Sequence, residues 1–273
     1  MSPTKEVSAG SLFREGRLAD AITAANDAVR KAPADATPRV LLAELLVFAG
    51  NLERADVVLD ACGDIDPGLA MVVAEFRQIL RGELARRQVF RDGRVPDFLF
   101  DPTPTQRSAL AALTAQRAGD LLEAGRLAAE AETARVHPKG KAADMAFDDL
   151  RDGDDLLSGC FEVITTTGKY FWVPPERVVS IIFHPPKRPR DLYWRRASMQ
   201  VAAGPDGDVY IPAIYPAPSD ADLTEELRLG RATGWHQPAE AGPVRGLGAV
   251  TMLIGEESRT VMELDNLCFE PQE

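Results

Sequence analysis

Apolar positions recur every three to four residues through the first half of the chain, and every second residue beyond Pro138. The first pattern is that of helices with one buried face, the second that of strands. Residues Leu69 to Arg91 read as one long helix with an apolar side through Val72, Val73, Phe76, Ile79, Leu80 and Leu84. A loop with several prolines follows, from Val95 to Pro104. In the second half, "CFEVITTTGKYFWVP" reads as a hairpin, because β-branched and aromatic residues flank the turn signal Thr167-Gly168. "RVVSIIFHP" is a further strand. "ASMQVAAGPDGDVYIPAIYP" is a second hairpin turning at Pro205-Asp206-Gly207, and "GAVTMLIGEESRTVMELDNLCF" a third turning near Gly255. A short helix is expected within "DADLTEELRLGRATGW".

The helical half carries a repeat. Gly16, Leu18, Ala21 and Pro33 recur as Gly50, Leu52, Ala55 and Pro67, an offset of 34 residues, which is the tetratricopeptide spacing. Each position has a mechanical reason. The glycine ends one helix and frees the backbone for a tight turn. The leucine and the small alanine sit on the next helix and allow close approach, and the proline stops it. Ala28 and Cys62 form another matched small pair, and "GDLLEA" from Gly119, with Ala131 and Pro138, reads as a degenerate third copy. The predicted fold is therefore α+β. A tetratricopeptide-like helical array over residues 1–137 precedes a small, mainly antiparallel β domain over 138–273, a bent sheet or barrel.

Composition adds limits. The chain has 273 residues and a formal net charge of −11, which opposes general attraction to phosphate backbones. Its 3 cysteines, Cys62, Cys160 and Cys268, form no CxxC pair, so they read as thiols in a reducing compartment. The start, "MSPTKEVSAG", has no apolar leader core, and no run approaches a membrane span. A soluble cytoplasmic protein is expected.

Chemistry is sparse. His137, His184 and His236 stand apart from one another and from the cysteines, and neither a GxSxG elbow nor a phosphate-binding GxxxxGK[ST] loop occurs. "GLGAV" at Gly246 leads into a strand and reads as a glycine bulge or hinge. The run "FDDLRDGDD" lacks the oxygen spacing of a calcium loop, because Leu150 falls where a ligand belongs. It reads as helix capping plus charge pairing with the basic stretch. No catalytic residue, cofactor or metal is assigned.

That stretch, "PPKRPRDLYWRRA" from Pro185 to Ala197, invites three readings. A nucleic-acid patch over 187–196 would stack bases on its aromatics, yet the chain is acidic and has no second basic cluster. A catalytic cluster would need a base or nucleophile that is missing. The favoured reading is architecture or protein contact: prolines stiffen a connection, Leu192, Trp194 and Ala197 face inward, and Arg190 and Arg195 pair with acids.

Several stretches together resemble one family: "GKYFWVPPERVVSIIFHPPKRPRDLYWRRA", "GDVYIPAIYP", "LRLGRATGW", "GPVRGLG" and, in the helical half, "AEFRQILRGELARRQVF". They are similar to the ImpE family, also called TagJ or SciE-type, of bacterial type VI secretion. A departure is Gly153, where the acidic run of the family carries an apolar residue. The resemblance implies a non-enzymatic accessory protein. It implies binding to the N-terminal helix of the small sheath subunit TssB, and a connection, direct or indirect, with the sheath-disassembling ATPase ClpV. Membrane is not an implied partner.

A repeat array holds peptides and helices in a concave groove. Aligning Gly16 with Gly50 puts Phe13 in step with Val47 and Arg14 with Phe48, while Val40 and Glu44 project to the same side. These six are groove candidates, although Val47 and Phe48 also fit an inter-repeat core. On the groove reading, Phe48→Asp abolishes partner binding without unfolding. An alternative partner surface on the sheet comprises Tyr170, Trp172, Arg190, Trp194 and Arg195.

Overall fold

The computed structural model describes residues 8–217 and 223–271. The N-terminal segment and the start of the stretch expected to hold a short helix lie outside them. Helices α1 (Ala9–Arg14) and α2 (Leu18–Lys31) form the first pair, and α3 (Thr37–Phe48) and α4 (Leu52–Ile65) the second. Helix α5 (Ala70–Asp92) is long and single, and α6 (Pro104–Arg117) and α7 (Leu121–Ala134) form the third pair. The three pairs turn at Gly16, Gly50 and Gly119, whose φ angles of 84°, 78° and 81° lie in the left-handed region that favours glycine. The degenerate third copy thus folds as the first two do.

Among the described residues thirteen strands follow: β1 (Gly140–Ala142), β2 (Met145–Phe147), β3 (Leu150–Asp152), β4 (Phe161–Thr165), β5 (Tyr170–Val173), β6 (Val178–Phe183), β7 (Trp194–Val201), β8 (Asp206–Pro212), β9 (Thr233–His236), β10 (Arg245–Gly248), β11 (Thr251–Ile254), β12 (Glu257–Thr260) and β13 (Asn266–Phe269). Helix α8 (Glu225–Arg228) precedes β9, within the stretch where the sequence predicts one. Eight strands make one antiparallel sheet in the order β2-β1-β13-β6-β7-β8-β4-β5. It is a bent sheet and does not close into a barrel. A three-stranded sheet, β12-β11-β3, and a hairpin, β10-β9, complete the β part.

Strand β4 is buried at Phe161, Glu162, Val163 and Ile164 alike, so the large sheet is covered on both faces at this strand. One face meets α5. Helix and strand come close because Gly82 has no side chain: a Cβ there would collide with Ile164. The other face carries the Phe161, Phe147 and Phe269 rings, stacked edge-on at 6.1 Å and 5.8 Å through Phe269. A single hydrophobic core runs from α1 to β13 without interruption.

The α5 pattern differs from its expected apolar side in one respect. Leu84 is 49% exposed, whereas Gly82, Glu83 and Arg86 are buried against the sheet. Residue polarity pointed the wrong way because the sheet supplies partners for these charges.

Candidate functional site

The helices and the sheet meet along a seam built on α3, α5 and the basic segment. A 3-10 turn, Pro189–Leu192, packs on α3 and leads into Tyr193 and Trp194, which meet Phe48 of α3 and Phe76 of α5. Aromatic rings then run in sequence. Phe13 lies 5.0 Å from Phe48, Phe48 lies 5.4 Å from Tyr193, and Tyr193 lies 4.7 Å from Trp194, centroid to centroid. Phe48 of α3, one of the groove candidates, is therefore covered by the chain's own Pro189–Leu192 turn and Tyr193.

Glu83 anchors this contact. Its carboxylate accepts from the Trp194 indole at 3.0 Å and the Tyr193 hydroxyl at 3.3 Å. Burial pushes the Tyr193 hydroxyl up to about 12, aided by the Glu83 charge. One turn on, Arg86 clamps Glu162 of β4 through two bonds of 2.7 and 2.8 Å and also reaches the Ile214 carbonyl at 3.0 Å. Tyr170 donates to Glu162, and the Trp172 indole donates to Tyr170. A second buried pair joins Arg245 of β10 to Asp154 through bonds of 3.0 and 2.8 Å, with Gln116 of α6 accepting from the same arginine at 2.9 Å.

The acidic run thus pairs elsewhere than expected. Asp154 takes Arg245, Asp149 takes Arg135, and Asp155 takes Arg151. None of these arginines belongs to the basic stretch, and no helix starts at the run. The glycine of "RGLG" is also explained, because a Cβ at Gly246 would collide with the Tyr215 ring.

Near α3 the seam is less complete. Arg190 stacks over the Phe76 ring at 4.6 Å and reaches Glu75 at 3.4 Å. Among the described residues its Nε and one terminal nitrogen have no hydrogen-bond partner, nor do Oε1 of Glu44 and Nε of Arg195. Burial pushes the Glu44 carboxyl up to about 7, against the pull of Arg190 and Arg188. Among the described residues Arg195 has no acid within ion-pair distance; it donates to the Met262 carbonyl at 3.1 Å.

Each residue singled out from the sequence can now be placed. Phe13, Glu44, Val47 and Phe48 are buried in the seam, Val40 is half-buried and Arg14 is exposed. Tyr170, Trp172, Arg190, Trp194 and Arg195 are all buried. The structure brings Phe13, Phe48 and Trp194 into one aromatic chain through Tyr193. Tyr170 and Trp172 lie with Arg86, further along the sheet. Because Phe48 is 2% exposed, Phe48→Asp would bury an unpaired charge and cost fold stability, contrary to the expected outcome of that substitution.

An open cleft lies beside the seam. A groove of about 480 Å³ runs between the α3–α4 turn (Gly50, Asn51) and the α5 residues Leu84, Arg87, Gln88 and Arg91. It continues into a smaller cavity through Gly50, Arg87 and Arg91, which line both. Val47, Phe48 and Tyr193 form part of the cavity wall. Helical spacing puts Leu84, Arg87, Gln88 and Arg91 on one face of α5. Sequence reasoning missed Glu83, Arg86, Arg87 and Arg91 as site residues. The available signal was a set of charges in step with the apolar stripe of Phe76, Ile79 and Leu80.

Among the described residues no helix is long and apolar enough to cross a membrane, and no group of side chains is arranged to hold a metal ion.

Known proteins match this architecture along its length. Residues 12–75 match the tetratricopeptide repeat and residues 144–268 match the ImpE protein family. The type VI secretion system accessory component TagJ of Pseudomonas aeruginosa is 31% identical over 263 residues, covering 96% of this chain and 91% of that protein. A crystal structure of a protein from Vibrio parahaemolyticus superposes with a TM-score of 0.89 at 26% identity, covering 97% of this chain and 98% of that one. The repeat, the helix–sheet seam and the identity along nearly the whole length agree: the chain belongs to the ImpE family, the family of the type VI secretion accessory component TagJ.

Proposed function

We propose that this chain is a non-enzymatic adaptor of a bacterial type VI secretion system, located in the cytoplasm. It binds the N-terminal helix of a TssB-like sheath subunit and is linked, directly or through that subunit, to sheath disassembly by a ClpV-type ATPase. Family membership supports the secretion role. The cleft between the α3–α4 turn and α5 is the single observation that carries the binding role. It is open and amphipathic, with exposed Leu84 flanked by Arg87, Gln88 and Arg91. A partner helix docks by a few apolar anchors in such a groove. Val47 and Phe48 line the neighbouring smaller cavity, and Phe13 packs on Phe48.

The nucleic-acid reading of segment 187–196 has less to stand on. Trp194, Arg190 and Arg195 are buried, and exposed Arg196 is paired with Asp208.

Fluorescence anisotropy of a labelled peptide carrying the N-terminal helix of the cognate sheath subunit, titrated with the full chain, tests the proposal. Saturable 1:1 binding competed by unlabelled peptide is expected. A flat titration, or equal binding of a scrambled peptide, would remove the sheath helix as partner. Salt-sensitive binding of DNA or RNA in the same assay would favour the nucleic-acid reading instead.

A further inference from the structure

The small cavity at the inner end of the cleft has an unusual lining. Its volume is about 50 Å³. A water-sized sphere takes roughly 10–15 Å³, so about four non-hydrogen atoms fit. No nucleoside, sugar or whole amino acid has room, only a small ion or the tip of a larger group.

The wall is rich in guanidinium groups. Arg87, Arg91 and Arg228 line the cavity together with Tyr193, and among the described residues Glu83 is the one carboxylate in the lining. Glu83 is already saturated. Trp194, Tyr193 and Arg87 lie at 3.0, 3.3 and 3.2 Å from its oxygens, with Arg86 at 3.6 Å. Arg87 donates from Nε to Glu83 and from one terminal nitrogen to the Gly50 carbonyl at 2.7 Å. Its other terminal nitrogen reaches only the Tyr193 hydroxyl, at 3.5 Å. A guanidinium has five N–H groups in a planar fork, so Arg87 has more donors than the described residues have acceptors for it. Arg91 and Arg228 also line the wall and hold contacts of their own.

We propose that this cavity is an oxyanion site, which takes one carboxylate or phosphate group on the spare N–H groups of Arg87. The planar fork matches both groups, and charge-assisted bonds of this kind are the strong ones. The partial enclosure by Phe48, Phe90 and Tyr215 strengthens them by excluding water. Entry is from the groove along α5, whose wall Arg87 and Arg91 share. In a chain with net charge −11, such a site selects by local geometry against a repulsive background.

Calorimetric titration of the full chain with inorganic phosphate and, separately, with acetate tests this, with sodium chloride at matched ionic strength as control. One-site saturable binding is expected, with a rise in the unfolding midpoint that chloride does not give. Arg87→Lys keeps the charge but loses the fork, and should weaken binding at least tenfold. Arg91→Gln leaves the bond to Gly50 in place and should also weaken it, with circular dichroism reporting the fold of both variants. Tighter saturation by phosphate identifies a phosphate-bearing ligand, and tighter saturation by acetate a carboxylate. Chloride matching both anions, or wild-type affinity in both folded variants, overturns the proposal. No partner helix enters this experiment, so its failure is separate from failure of the peptide titration.

Discussion

Two parts of one seam solve the same problem differently. Where α5 lies on β4 and β5, a buried arginine meets a buried glutamate, and the donors around them are matched: Arg86 binds Glu162 twice and the Ile214 carbonyl, while Tyr170 and Trp172 complete the chain of bonds. Where the Pro189–Leu192 turn lies on α3, Arg190 and Glu44 are equally buried, yet neither is completed. Each unpartnered buried polar group costs about 1–3 kcal/mol. The first contact ties α5 to β4 through closed bonds. The second holds the segment mainly by its rings, Tyr193 on Phe48 and Arg190 on Phe76. Burial of charge is therefore a sign of rigidity only where the bonds close.

The largest effect that would break this contrast is Arg86→Met. It strands Glu162 in the core and should cost about 3–5 kcal/mol, read by denaturant unfolding. The matching change, Arg190→Met, removes a half-satisfied cation while keeping contact with Phe76, and should cost less than about 1 kcal/mol or stabilise. Equal losses in the two variants would erase the distinction.

Acidity sharpens the contrast next. The Glu44 carboxyl keeps its proton in the folded chain up to about 7, but loses it near 4.5 when unfolded. The folded state holds more protons between those values, so stability falls as pH rises through that window. The 2.5-unit gap sets a change of about 3 kcal/mol. Glu44→Gln should remove that slope and be more stable than wild type above pH 7 by a similar amount. Asp152 behaves alike, pushed up to about 8 by burial and by the Asp154 charge, so Asp152→Asn should flatten the curve between about 4 and 8. Thermal unfolding across that range checks both.

A smaller change concerns packing. Gly125 of α7 lies against the Ala241 carbonyl, where a Cβ would collide. Gly125→Ala should cost about 1–3 kcal/mol through overpacking, by the same unfolding measurement.

The repeat was legible because a tetratricopeptide turn requires glycine at fixed spacing, and Gly16, Gly50 and Gly119 stand where that spacing puts them. Hairpins were legible at Gly168 and Gly255 for the same reason: local backbone chemistry is written locally. The site was less legible. Glu83 and Arg86 look like surface charges until the sheet, whose Glu162 is 76 residues away from Arg86 along the chain, arrives to pair with them. Leu84 looks like core in isolation and turns outward because its neighbours turn in. The aromatic residues of "RDLYWRRA" suggested a contact surface, and they do make a contact, with the chain's own α3 and α5.

On the proposed function, a sheath-subunit helix docks in the cleft outside this seam, against Leu84 on the exposed face of α5. The measurement that tests it most directly is the sheath-helix peptide titration on wild type and on Leu84→Asp in parallel. Leu84 contributes little to the core, so the variant should fold normally and lose at least tenfold in affinity. Unchanged affinity in a folded Leu84→Asp protein would place the partner on another surface and contradict the account.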